Sequence, residues 1–432
     1  MAKPFKIRTV TSFVAIDASD FNNGALEQKI GRCSSLLRDI VSLLTKDGYD
    51  VQTVRIATNP FGEWLLPTND TQLSVNDKAA AISRLHMLNA LLGKHDIHFC
   101  SLGPSMKVEH TVNICPLIVS FSPGRFSCSA NINACDVDSS IVAAKCVKLI
   151  SSREQMEAHA NDSAIIGEGT HLDGGLGNFR FCTASYVRCG IPFFPAAKAP
   201  SLGEGDDGSI KFAIGLENGT YAGMLLKEAK SIANVQRVFS EKWRNELLPI
   251  QRICEEYVNT KQSTGPIEYL GIDTSLNPSL DHNGSVARAV EHLDEVRGNF
   301  GQGSLSAAAA VTIALQSIPD IKITGYCGLM LPVLEDQRLA ELGMMASSTS
   351  RIDIQKLLCI SSVCGVGVDT VPISGEVSDE NLSSLMLDVA ALAGRWNKQL
   401  SCRVFPVPAR RAGDVTTFDS PYMCNSCIFE LE

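Results

Sequence analysis

The sequence has no surplus of positive charge. Its 432 residues carry 38 Lys and Arg against 47 Asp and Glu, for a net charge of −9. No global field draws it to a phosphate backbone, so nucleic acid is not an expected partner. Long apolar runs are also missing: none reaches the roughly 18–20 residues that span a bilayer, and no membrane partner is expected. The best candidate, "SAAAAVTIAL" from Ser306, reads as a small-residue helix packed inside a protein. The start, "MAKPFKIRTVTSF", lacks the apolar block and small-residue cleavage site of a signal peptide. The expectation is a soluble, cytoplasmic protein. Cysteine is not scarce, but the 15 residues are odd in number and scattered through apolar runs such as "HDIHFCSLG" and "FRFCTAS". That usage fits free thiols in a reducing compartment. The one CxxC, Cys424–Cys427, lacks the second ligand pair that a structural zinc site requires.

What is present alternates from end to end. Short β-branched or aromatic runs read as strands: 53–58, 97–102, 117–122, 179–187, 211–217, 268–275, 323–331, 365–373 and 402–407. Helical periods lie between most of them. "LEQKIGRCSSLLRDIVSLLTKDGYD" spaces its aliphatics by three and four and offers Gly48 as a stop. "SDENLSSLMLDVAALAGRWNKQ" offers Ser378 as an N-cap, with Asp379 and Glu380 at the positive end of the helix dipole. Strand–helix alternation with near-continuous apolar strands predicts a mostly parallel sheet covered by helices, as a closed barrel or a strongly wound sheet. One α/β domain over 1–432 is expected, with "SLGEGDDGSIK" (201–211) as a surface loop and the best candidate break.

Two stretches share a pattern: "GIDTS" at 271–275 and "GVDTV" at 367–371, with a weaker echo in "FAIGLEN". Each carries an apolar strand to a glycine, one more apolar residue and then an acid. In parallel α/β folds, ligands gather at the carboxyl ends of strands, and a glycine there permits close approach of a backbone or a ligand. Glu217, Asp273 and Asp369 are therefore candidates to project into one mouth, with Glu335 and Asp336 beyond a further strand. Together they could hold Mg or Mn, tune one another for acid–base work, or bind a cation. Strand-end acids also cap helices or pair with arginines. Ser275 and Thr370, adjoining the two aspartates, are candidate substrate contacts.

Other segments add candidates. Cys364 lies between an apolar helix and the "GVGVDT" strand, where a ligand could reach it, although no activating partner is visible. Arg403, Arg410 and Asp414 fall in a strand and a rigid, arginine-paired loop suited to a substrate acid group. Asn178 and Arg180 are further candidate contacts, Phe193 and Phe194 read as core, and His171 and His282 lie in polar loops. The glycine runs "CGVGVD" and "HLDGGLGNFR" lead into strands rather than opening helices, so no nucleotide cofactor is expected.

"NFRF", "PFFPAA", "GIDTSLNP", "GLMLPVLED", "SSVCGVGVDTVPISGEVS", "LMLDVAALA" and "RVFPVPARRAGD" closely resemble the family called domain of unknown function 711, as does "RIATNPFGEWL". The resemblance implies an α/β barrel related to that of pyruvate formate-lyase and other glycyl-radical enzymes. It does not imply their reaction, because "RRAGD" departs from their radical-bearing segment. The expected function is an enzyme acting on a small polar metabolite at a carboxylate-lined barrel mouth, as lyase, isomerase or hydrolase. The alternative is a metabolite-sensing or assembly module using the same pocket, and a homo-oligomer is left open.

Overall fold

Apolar segments pair edge to edge across almost the whole chain in the computed structural model, which describes residues 3–66, 73–160, 172–203, 208–261, 265–345 and 352–431. The strands are β1 (Lys6–Val14), β2 (Val54–Thr58), β3 (Phe99–Ser105), β4 (Phe126–Asn131), β5 (Phe181–Ser185), β6 (Ile210–Glu217), β7 (Ile267–Asp273), β8 (Gly367–Ser374) and β9 (Leu400–Val407). They form one nine-stranded sheet in the order β7-β6-β1-β2-β3-β4-β5-β9-β8. Strands β1 to β5 run parallel, as do β6 with β7 and β8 with β9. The direction reverses only at β1–β6 and β5–β9.

Surrounding helices explain the near-continuous burial of strands such as β6. The helix Ala25–Lys46 buries Leu26, Ile30, Leu37, Ile40 and Leu44 along one stripe. Its end comes at Asp47, followed by Gly48 at φ 93°. Ser378 caps the helix Asp379–Trp396 by accepting from the Asn381 N–H at 3.0 Å. "SAAAAVTIAL" lies in the helix Ser304–Gln316. No helix among the described residues is long and apolar enough to cross a membrane.

Three expectations need correction. The run 117–122 is not a strand: Cys115–Ser120 forms a short helix with Pro116 in its first turn. The run 179–187 contracts to β5, because Asp173–Arg180 forms tight 3-10 turns around Gly174 and Gly175, both left-handed. The run 323–331 is not a continuous strand. Gly325 (φ 83°) and Cys327 (φ 47°) interrupt its extended geometry, leaving isolated parallel bridges. Those bridges join Ile323 to Ile272, Leu329 to Leu276, and Pro332 to Asp369, so the segment touches both β7 and β8. The expected loop at 201–211 lies in part outside the described residues.

Gly271 lets this segment approach. At φ 129°, a Cβ there would sit 2.3 Å from the Lys322 carbonyl oxygen. That carbonyl accepts the Ile272 N–H at 2.9 Å. Gly271→Ala is expected to cost about 2–4 kcal/mol through backbone strain and a displaced bridge, read as a lower denaturation midpoint in urea.

Candidate functional site

A cavity of about 450 Å³ is lined by residues from both ends of the strand order, including Arg8, Arg55, Phe99, Arg180, Glu335, Asp369 and Arg403. Its position corrects the expectation of a mouth at the carboxyl ends of the strands. Arg55, Phe99 and Phe126 stand at the starts of β2, β3 and β4, and Arg180 immediately precedes β5. Because the sheet reverses at β1–β6, the amino ends of the first five strands lie beside the carboxyl ends of β6 and β7. Residues after β7 and around 326–335 therefore reach the same space.

Arg403 organises the acidic side of the cavity. Its Nε and Nη2 donate to the two oxygens of Asp369 at 2.6 and 3.1 Å. Nη2 also donates to Glu335 Oε1 at 2.9 Å, and Nη1 to the Phe179 carbonyl at 3.3 Å. The guanidinium lies over the Phe179 ring, 5.4 Å from its centre. Burial alone would push Arg403 down, but the Asp369 and Glu335 carboxylates outweigh it and hold the cation more firmly protonated. Burial raises Glu335 above the ordinary carboxylate range, with Arg403 pulling the other way. Asp369 is set in place by an irregular stretch of β8, where the register with β9 shifts between Val368 and Val371. Thr370 there adopts φ 45°, an unusual conformation for a β-branched residue.

The basic side is less balanced. Arg55 lies between two rings, 5.6 Å from Phe99 and 5.2 Å from Phe194, and its Nε donates to Thr53 Oγ1 at 3.1 Å. Among the described residues no carboxylate pairs with it. Burial pushes it down to about 9, aided by Arg8 and Arg403 and opposed by Glu335. Arg8 itself pairs with Glu217 at 3.1 Å. Tyr326, also in the wall, shares a short hydrogen bond with Ser401.

The structure distributes the sequence candidates rather than gathering them. Asp369, Glu335, Arg403 and Arg180 line the cavity. Asp273 is fully buried elsewhere, accepting from Ser275 N and Oγ, Tyr326 N and Cys327 N at 2.6–3.0 Å. Ser275 is buried beside it and accepts from the Gly328 N–H. Asp336 likewise accepts from Ser285, Val286, Ala287, Arg338 and Leu339 and joins two helix starts. Glu217 is bound by Arg8 and Gln52. The proposed metal set Glu217, Asp273 and Asp369 is thus engaged by three separate sets of donors, and no group of three or more potential ligands stands ready for a metal among the described residues.

Cys364 is buried at a helix end, its thiol pushed up by burial rather than activated. Thr370 is buried and receives the Leu334 N–H at Oγ1, 3.4 Å away. Asn178 is buried and donates to the Val147 carbonyl. Arg410 and Asp414 lie outside the cavity wall, Asp414 accepting from the Arg411 N–H. Cys424 and Cys427 donate separately to the Leu334 and Gly343 carbonyls. His282 is exposed, 3.8 Å from Glu341, and His171 lies outside the described residues.

Sequence comparison matches residues 1–420 to a family profile described as "Uncharacterised ACR (DUF711)". The chain belongs to this family. Its curated relatives are named UPF0210 proteins. One from Lacticaseibacillus paracasei is 29% identical over 153 residues, 34% of this chain and 32% of that protein. One from Pyrobaculum arsenaticum is 27% identical over 239 residues, 54% of this chain and 51% of that protein. One from Corynebacterium glutamicum is 28% identical over 202 residues, covering 44% and 41%. The chain thus spans about a third to a half of the length of the relatives it matches. No function is assigned by these names.

Sequence reasoning passed over Arg55, Arg8, Tyr326 and Phe99, and read Phe193 and Phe194 as core, whereas all six line the cavity. The available signal was a charged residue inside the apolar strand "TVRIAT".

Two outcomes follow from these contacts. Asp273→Asn is expected to lose about 2–4 kcal/mol in urea unfolding without any ligand, because an amide places N–H against backbone donors. Arg403→Met leaves Glu335 buried without its cation, raising its folded pKa further above the unfolded value. A raised carboxyl binds more protons folded than unfolded, so the variant's stability falls as pH rises. It is expected to melt low at pH 7 and to recover part of the loss at roughly pH 5, as checked by melting curves across that range.

Proposed function

We propose that this chain is an enzyme that performs acid–base chemistry on a small anionic metabolite bound in the arginine-rich cavity. The observation that carries the reading is Arg55, a half-buried guanidinium beside two aromatic rings with no carboxylate partner among the described residues. A buried charge without a counter-charge is costly, and a bound carboxylate or phosphate would meet it through paired hydrogen bonds. Glu335 supports the proton-transfer role, being lifted by burial and placed in the same wall. Asp369 is the carboxylate that Arg403 orients. The expected acid-lined mouth is therefore replaced by a cavity in which arginines outnumber acids, and metal-assisted chemistry is not part of the proposal. The ligand is a small molecule rather than a nucleic acid or a membrane.

We also propose that the chain forms one unit and that the sheet closes into a ring, with 323–332 bridging its two edges. The three parallel bridges to β7 and β8 support this closure and the likeness to the pyruvate formate-lyase barrel. A second reading, a metabolite-sensing or assembly module, is favoured by one contact pattern. Arg403 engages both cavity carboxylates, which suits holding them fixed more than freeing them to move protons.

Isothermal titration of the purified chain with organic acids and sugar phosphates tests binding. At least one is expected to bind, with Arg55→Gln weakening it roughly tenfold or more. Unchanged affinity in that variant would sink the reading. Glu335→Gln, assayed with the bound compound, should abolish turnover and keep affinity in an enzyme, whereas a sensor has no turnover to lose.

A further inference from the structure

We propose that the cavity contains a second anion subsite, built on Arg180 and Ser127, so that the ligand carries two acidic groups separated by an apolar spacer. The inference rests on the anion-binding reading of Arg55 and extends it to the substrate class.

Arg180 precedes β5 and lines the same cavity. Its Nη2 donates to the Val119 carbonyl at 2.9 Å, while its Nε is buried without a hydrogen-bond partner. Among the described residues no carboxylate pairs with it. Burial pushes it down to about 10, and the one neighbouring group that offsets this is the Cys128 thiol. Gly124 closes the wall behind the guanidinium: a Cβ there would lie 3.1 Å from Arg180 Nη1. Ser127 lines the cavity, is 5% exposed, and its Oγ has no hydrogen-bond partner. A buried hydroxyl and a half-buried guanidinium whose Nε has no partner, in one wall, match the needs of an oxyanion.

This subsite is distinct from Arg55. Strand β2 is separated from β5 by β3 and β4. Three interstrand spacings place the two positions about 14 Å apart around the wall. Arginine side chains reaching inward from both positions shorten that span to one a short carbon chain fills. The strands between them, β3 and β4, contribute Phe99 and Phe126 to the wall, rings that offer no hydrogen bonds to a polar spacer. A single acid group can satisfy one arginine and leaves the other buried and unmatched. A molecule with an acid at each end satisfies both.

The test is titration of the full chain with α,ω-dicarboxylates from malonate to pimelate, the matching monocarboxylates, and ω-phosphonoalkanoates of the same lengths. Wild-type protein is expected to bind the best-fitting doubly acidic compound at least roughly tenfold more tightly than its monoacid. The phosphonate arm shows whether a carboxylate or a phosphoryl group suits the second subsite. Arg180→Gln should erase the advantage, bringing the diacid to the affinity of its monoacid, and raise the melting temperature of the ligand-free protein by removing a charge with no carboxylate partner. Ser127→Ala should reduce the advantage less. Equal affinity for diacids and monoacids would overturn the second subsite while the Arg55 reading stands. An absence of binding by every acid would overturn both. If Arg180→Gln does not fold, the wild-type comparison alone decides.

Discussion

Arg403 donates in two directions from β9, to both oxygens of Asp369 and to one of Glu335. Arg403 is buried, and the two carboxylates beside it outweigh that burial and hold its guanidinium charged. Remove the cation and two acids face a buried space; remove the acids and Arg403 joins Arg8, Arg55 and Arg180 in a predominantly positive wall. The placement of Asp369 in a register shift, beside a left-handed Thr370, belongs to the same arrangement. Regular pleating would alternate side chains strictly, whereas the shift lets the strand re-aim one of them.

The molecule accommodates buried acids in two different ways. Asp273 and Asp336 are surrounded by backbone N–H groups and hydroxyls, which stitch strand to segment and helix to helix. Burial raises both, and those donors offset part of the rise. Asp369 and Glu335 instead meet a guanidinium at the edge of open space. The first arrangement uses up the carboxylate's acceptor capacity internally; the second leaves it facing a ligand. Similar strand-end acids thus serve architecture in one place and a candidate site in another.

That division explains what could be read from the sequence. Strand–helix alternation, the Ser378 cap and the stop at Gly48 are local properties, encoded by residues within a few positions of one another. "GIDTS" and "GVDTV" look alike locally, yet their aspartates differ because their partners come from far along the chain. Asp273 meets Tyr326 and Cys327, whereas Asp369 meets Arg403. No spacing rule contains that information. The location of the cavity was hidden for a related reason. A rule drawn from uniformly parallel sheets points to carboxyl ends, and the two antiparallel junctions bring both kinds of end to one place.

Arg55 gives the firmest link from fold to chemistry. Its register neighbours are Thr11 on β1 and Phe99 on β3, neither of which can neutralise it. A guanidinium serving the sheet would be expected opposite an acid, where cross-strand pairing helps. Here two rings lie 5.6 and 5.2 Å from it without supplying charge. Such an arrangement lowers stability, since desolvation is not repaid within the described chain. Local conflicts of this kind concentrate where a protein meets something other than itself. The missing counter-charge at Arg55 therefore points to an anionic ligand more directly than any acid in the wall points to a catalytic base.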